Sequence, residues 1–111
     1  MRVTITQLDV PPPIPAAVVA GIVAAPGGQA NATLLTGRAN IVSTIAPNTA
    51  VKLQILLTRQ MTVFAAGGRL LTVYPIEGTA FQGSGINVPS MIADGGNATF
   101  TFDGVQTWYI S

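Results

Sequence analysis

Polar and apolar residues alternate along Arg2-Val3-Thr4-Ile5-Thr6-Gln7-Leu8, with Val3 and Ile5 on one side and Thr4 and Thr6 on the other, which predicts a β-strand. The same period recurs at Val51-Lys52-Leu53-Gln54-Ile55, where Val51, Leu53 and Ile55 turn inward and Lys52 and Gln54 outward, and Leu56-Leu57 continues the run. Ala98-Thr99-Phe100-Thr101-Phe102 alternates once more. Asp103-Gly104 follows as a strong hairpin dipeptide, and Gln106 to Ile110 returns beside it.

Between these segments the chain is punctuated by turns. Asp9-Val10-Pro11-Pro12-Pro13 ends the first strand, and Pro26-Gly27-Gly28, Gly37 to Asn40, Ala46 to Thr49 and Ala65 to Gly68 read as further turns. They bracket predicted strands at Ala30–Thr36, Ile41–Ile45, Met61–Phe64 and Arg69–Tyr74, the last stopped by Pro75, which has no N–H for a ladder. Ala16 to Ala24 is ambiguous: its alanines suit a short helix, but Val18, Val19, Ile22 and Val23 around Gly21 favour a strand. Ile76 to Ser90 reads as a long loop with a short strand around Ile86-Asn87-Val88.

About eight to ten short strands at intervals of roughly 8–12 residues predict an all-β domain, an antiparallel sandwich or a small barrel. Eleven Val, ten Ile and thirteen Thr among 111 residues reinforce this, since β-branched side chains favour strands. The expected division is an N-terminal strand and proline-rich arm over residues 1–15 and a single β domain over residues 16–111.

Charge narrows the functional classes. Five Lys/Arg against four Asp/Glu leave a net charge of +1, and the cations are scattered as Arg2, Arg38, Lys52, Arg59 and Arg69, so no basic face for nucleic acid is expected. Only 8% of residues are charged, where soluble surfaces carry roughly a quarter or more, so much of the surface is expected to be covered by copies of the chain or by a larger assembly. Ile14 to Ala25 is too short, and too broken by Pro15 and Gly21, to cross a bilayer. Asp9 and the proline run interrupt any signal-peptide core, and no membrane association is expected.

Candidate chemistry is sparse. Without Cys or His there is no disulfide, no common zinc ligand set and no His-based triad. Of the carboxylates, Asp103 and Asp94 belong to glycine turns, and Glu77 is placed to pair with Arg69 across the preceding strand. No spacing matches a calcium loop, a phosphate loop or an acid–base pair, so neither enzymatic activity nor a cofactor is expected. Asn31-Ala32-Thr33 and Asn97-Ala98-Thr99 match glycosylation sequons with no secretory signal beside them.

Two features point to assembly. Trp108 and Tyr109 are adjacent in a strand and face opposite ways, so one packs in the core with Phe100 or Phe102 while the other is free for an interface or for stacking on a sugar. Pro11-Pro12-Pro13-Ile14-Pro15 forms a rigid extended piece that either bridges two strands or holds the first strand away from the body. The expected assembly interface is therefore Val3, Ile5, Leu8, Pro11, Pro12, Pro13, Pro15, Trp108 and Tyr109.

One resemblance extends this reading. Leu71-Thr72-Val73-Tyr74-Pro75, Asn87, and Ile92-Ala93-Asp94-Gly95-Gly96-Asn97-Ala98-Thr99-Phe100 leading to Asp103-Gly104 and Trp108-Tyr109 resemble a β-rich module of tailed-bacteriophage structural proteins. Ala25 to Gln29, Thr36 to Thr44 and Ala46 to Val51 fit the same cadence, so the similarity spans roughly residues 25–110. It implies a virion component, commonly a homotrimer, and does not choose between a capsid decoration protein, a head fibre and a tail or baseplate piece. Lacking a heptad stalk and a receptor-binding tip, the chain fits a capsid decoration or cement protein, with the major capsid protein as partner and the capsid surface as location. A tail, baseplate or head-fibre module and a host-glycan-binding module are the alternatives.

Overall fold

Ala16–Val23 is a strand, β1, as its β-branched residues require. The computed structural model describes residues 16–57 and 59–111. After β1 come β2 (Ala25–Pro26), β3 (Thr33–Leu34), β4 (Gly37–Thr44), β5 (Thr49–Lys52), β6 (Gln60–Ala65) and β7 (Leu71–Tyr74). They are followed by β8 (Ala80–Phe81), β9 (Ser90–Ile92), β10 (Asn97–Phe102) and β11 (Thr107–Ile110). The only helical element among the described residues is a single 3₁₀ turn at Gln29–Asn31. The predicted strand over Arg2–Leu8 and the proline arm lie outside the described residues.

Two local expectations change. The strand predicted at Ala30–Thr36 shrinks to β3, because the segment before it closes on itself: the Asn31 N–H donates to the Gly28 carbonyl at 3.2 Å and Asn31 Nδ2 to the Gly27 carbonyl at 3.1 Å. The turn predicted at Gly37–Asn40 is instead the start of β4. There Asn40 points inward, wholly buried, and its side chain supplies the bonds that a turn would otherwise have made. Its Oδ1 accepts the Gly37 N–H at 2.9 Å, while Nδ2 donates to the Gly37 carbonyl at 2.8 Å and to the Thr62 carbonyl at 3.2 Å.

The strands form two open sheets, ordered β1-β4-β6-β10-β11-β8 and β2-β5-β7-β9, with β3 beside β5. Neither closes into a barrel. The sheets are mixed, which corrects the antiparallel expectation: β1/β4, β4/β6, β3/β5, β5/β7 and β8/β11 run parallel, while β6/β10, β10/β11, β2/β5 and β7/β9 run antiparallel. The winding explains this. From β4 to β7 the chain alternates between the sheets, so β6 re-enters the first sheet running the same way as β4, and β7 the second sheet running the same way as β5. A strand of the opposite sheet serves as the crossover that parallel neighbours need.

Both sheets contribute to one hydrophobic core. Val42, Met61, Val63, Phe100 and Trp108 enter it from the first sheet, and Val51, Leu71, Val73 and Ile92 from the second. Leu35, Ile45, Leu53 and Leu56 fill it from the connections. Each such side chain contributes roughly 1.5–3 kcal/mol when fully buried. The aromatic pairs Phe81–Phe100 and Phe102–Trp108, with ring centroids 5.4 and 4.9 Å apart, pack in tilted geometry.

The final hairpin is held by Asp103. Its Oδ1 accepts the N–H groups of Val105, Gln106 and Thr107 at 2.7, 2.9 and 3.1 Å, and Gly104 supplies the left-handed residue (φ 89°). The Val105 N–H foremost, then those of Thr107 and Gln106 and the charge of Arg59, hold its carboxyl below the usual value against the cost of desolvation. A carboxyl depressed on folding contributes stability above its unfolded pKa and loses it as pH falls through the folded value. Asp103→Asn keeps an acceptor but does not titrate. The loss of stability on acidification, followed by urea unfolding at a series of pH values, should therefore be shallower in this variant than in the wild type.

Candidate assembly surface

Across a β-ladder, directly paired residues lie on the same face, so the register of the first sheet sorts its outer surface into rows. One row holds Val18, Ala39, Thr62 and Thr99, the next Ile41, Phe64 and Asn97, and a third Gln60, Thr101 and Tyr109. Thr62 and Thr99 share a hydroxyl–hydroxyl bond of 2.9 Å, and Gln60 Nε2 donates to Thr101 Oγ1 at 3.4 Å. No row contains a charge.

Charge is scarce across the strands as a whole. Of the nine charged residues, Arg2 and Asp9 lie outside the described segments, which leaves seven. Five of these, Arg59, Arg69, Glu77, Asp94 and Asp103, sit in connections, so only Arg38 on β4 and Lys52 on β5 occupy strands. Lys52 is largely covered and its Nζ pairs with Glu77 at 3.0 Å. This corrects the expected Arg69–Glu77 pair. Arg69 precedes β7, whereas the β5/β7 register sets Lys52 opposite Tyr74 at the other end of that strand, where the loop carrying Glu77 begins. Hydrogen bonding with the backbone first, and with Lys52 second, lowers the Glu77 pKa.

The adjacent aromatics separate as their opposite facing requires. Trp108 is wholly buried, stacks on Phe102 and donates its indole N–H to Thr79 Oγ1 at 3.0 Å. It is therefore withdrawn from the expected interface, and from any sugar-stacking platform, because no partner can reach it. Tyr109 remains, 44% exposed, beside Thr101. Val3, Ile5, Leu8, Pro11, Pro12, Pro13 and Pro15 lie outside the described residues.

The edges of the sheets differ sharply. β8 and β2 are two residues long, β2 ends on Pro26, and β9 has three residues. Short strands and proline are the usual means of blunting an edge against further pairing. β1 has neither protection. It is eight residues, Ala-Ala-Val-Val-Ala-Gly-Ile-Val, without charge or proline, and among the described residues it is paired on one side only, to β4. Val18 and Val23 are 59% and 55% exposed. Its register with β4 is regular from Ala16 to Val19 and breaks around Gly21, whose φ of 69° bulges the strand.

Sequence reasoning found β1 as a strand but missed it as an open edge. The signal available was its lack of any polar alternation or edge charge. On the outer face of the second sheet, a groove of about 270 Å³ is lined by Thr72, Tyr74, Met91, Asn48 and Pro89 among others, with no acid or cation among its lining residues. Among the described residues no cluster of three potential metal ligands occurs. Comparison with family models, curated proteins and solved structures finds no match to the chain.

Proposed function

We propose that this chain is a non-enzymatic structural protein of a phage particle, a capsid decoration protein that binds the assembled head and reinforces it. The observation that carries the reading is the near-absence of charge from the strands, with the ionic side chains displaced to the connections. Charged residues are depleted where surfaces are buried against other proteins, and exposed apolar surface such as Val18, Phe64 and Tyr109 is suited to such burial. In this reading the two sheets are the layers of a β-sandwich, whose outer face of β4, β6, β10 and β11 lies against the major capsid protein or a sister copy in a homotrimer. Reinforcement follows from mass action: a protein that binds only the assembled shell stabilises that shell. The particle-module resemblance over residues 25–110 supports a virion component, and the short chain without a stalk favours the capsid as its partner.

Quantitative mass spectrometry of purified particles containing the chain tests this reading. A copy number comparable with that of the major capsid protein is expected. A few copies per particle would overturn it in favour of a tail, baseplate or head-fibre position. Glycan binding abolished by Tyr109→Ala in a chain that remains folded would favour recognition of the host surface instead.

A further inference from the structure

The chain has no Cys, so its sulfur chemistry rests on methionine. Two methionines fall among the described residues, and they are placed oppositely: Met61 on β6 is wholly buried in the core, whereas Met91 on β9 is 53% exposed. We propose that Met91 is a reversible oxidation site: a peroxide converts it to the sulfoxide, and Thr72 on the neighbouring strand holds the oxidised side chain on the folded sheet. This goes beyond the structural role above and does not depend on it.

The β7/β9 ladder sets Met91 directly opposite Thr72. On either side of that pair Leu71, Val73 and Ile92 turn into the core, so Thr72 and Met91 stand together on the outer face. Both line the groove there, with Tyr74 and Pro89. The Thr72 hydroxyl donates to the Met91 sulfur at 3.2 Å. A thioether is a weak acceptor, so this hydroxyl spends its proton on a poor bond.

The reaction needs only a peroxide. With hydrogen peroxide, the sulfur lone pair attacks one oxygen, the O–O bond breaks, and the proton on the attacked oxygen passes to the departing hydroxide, which leaves as water. Sulfur loses two electrons and the peroxide gains them. The product carries a polar oxygen where the side chain was apolar, and thiol-dependent sulfoxide reductases remove that oxygen, one enzyme for each epimer. On Met91 the new oxygen is bonded to the atom that Thr72 already faces. The hydroxyl thereby gains a strong acceptor without any shift of β7 or β9, and a wall of the groove becomes polar.

Met61 supplies the internal reference. A side chain with no exposure meets peroxide only when the chain opens, and the unfolded form of a stable domain is about one part in 10³ or fewer. The folded chain is treated with dilute hydrogen peroxide, quenched at intervals and digested, and the gain of one oxygen at positions 61 and 91 is followed by mass spectrometry. A parallel series is run in urea. Met91 is expected to react about 10³-fold faster than Met61 in the folded chain and at nearly the same rate in urea. Incubating the oxidised, folded chain with both reductases and a thiol should return Met91 to its unmodified mass.

The part played by Thr72 is read from stability. Oxidation should leave the urea midpoint of the wild type unchanged or raised, and lower that of Thr72→Val, which keeps the shape but has no hydroxyl. Thr72→Ser restores the hydroxyl and should respond as the wild type does. Equal rates at Met61 and Met91 in the folded chain would overturn the site, and a sulfoxide that resists both reductases would overturn its reversibility. Equal midpoint shifts in the wild type and Thr72→Val would remove Thr72 from the proposal. None of these results bears on the copy number in particles, so the oxidation site and the capsid reading fail separately.

Discussion

Trp108→Ala should destabilise the folded chain by about 3–5 kcal/mol, the usual range for truncating a fully buried aromatic. That is a large share of the roughly 5–15 kcal/mol that separates a small domain from its unfolded state. Trp108 is the largest wholly buried side chain, packed 4.9 Å from the Phe102 ring and bonded through its indole N–H to Thr79 Oγ1. Its removal opens a cavity in the core and takes the ring partner from Phe102. Thr79 Oγ1 still donates to the Ile76 carbonyl at 2.6 Å, so the lost hydrogen bond is the smaller part of the effect. Tyr109→Ala, one residue away on the opposite face, should change stability by no more than about 0.5 kcal/mol. Urea unfolding of the two variants makes the comparison, and similar losses for both would contradict the sidedness of β11.

That contrast marks where the sequence was legible. Period-2 patterning states which side of a strand is buried, and it did so for Val51 and Leu53 in and around β5 and for Ala98, Phe100 and Phe102 in β10. It cannot rank two apolar neighbours such as Trp108 and Tyr109, since either choice satisfies the alternation. Turn chemistry was equally readable. Asp103-Gly104 closes the last hairpin, and Gly68 and Gly95 take left-handed backbone conformations between strands.

Which sheet a strand joins is a different kind of information. Alternation is blind to it, and so the shuttling of β4 to β7 between the sheets, with the parallel pairs that result, could not be read from Val51-Lys52-Leu53 or Met61-Thr62-Val63. The Lys52–Glu77 pair depends on the same hidden register, because only the parallel β5/β7 pairing brings Lys52 to the end of β7 nearest Glu77. The candidate surface was legible in one respect: scarcity of charge announced sheets whose outer faces are nearly free of ions. Its location needed the ladders, which reveal that Val18, Ile41, Phe64 and Tyr109 share one sheet while β2, β8 and β9 are too short to offer an edge.

Asn40 is the residue that pattern reading placed in a turn, and it supports the second large effect. Asn40→Asp is nearly isosteric, yet it replaces an amide donor with an acceptor against the carbonyls of Gly37 and Thr62, in a position with no exposure. A buried carboxylate there faces two carbonyl oxygens, and at neutral pH the variant should lose about 3–5 kcal/mol, the range found when a buried charge is left uncompensated. Burial and the two carbonyls both favour the protonated acid, so the folded-state pKa of this Asp lies above its unfolded value. A group raised on folding keeps its full contribution below the unfolded pKa and loses it as pH rises through the folded one. The deficit of Asn40→Asp relative to the wild type should therefore shrink steadily on acidification, as the protonated acid regains a donor for one carbonyl. Comparing the two proteins at each pH cancels the acid losses from Asp103 and Glu77 that they share. A deficit that stays constant with pH would mean that residue 40 does not face those carbonyls from inside β4, and the account of how the first sheet begins would have to be abandoned.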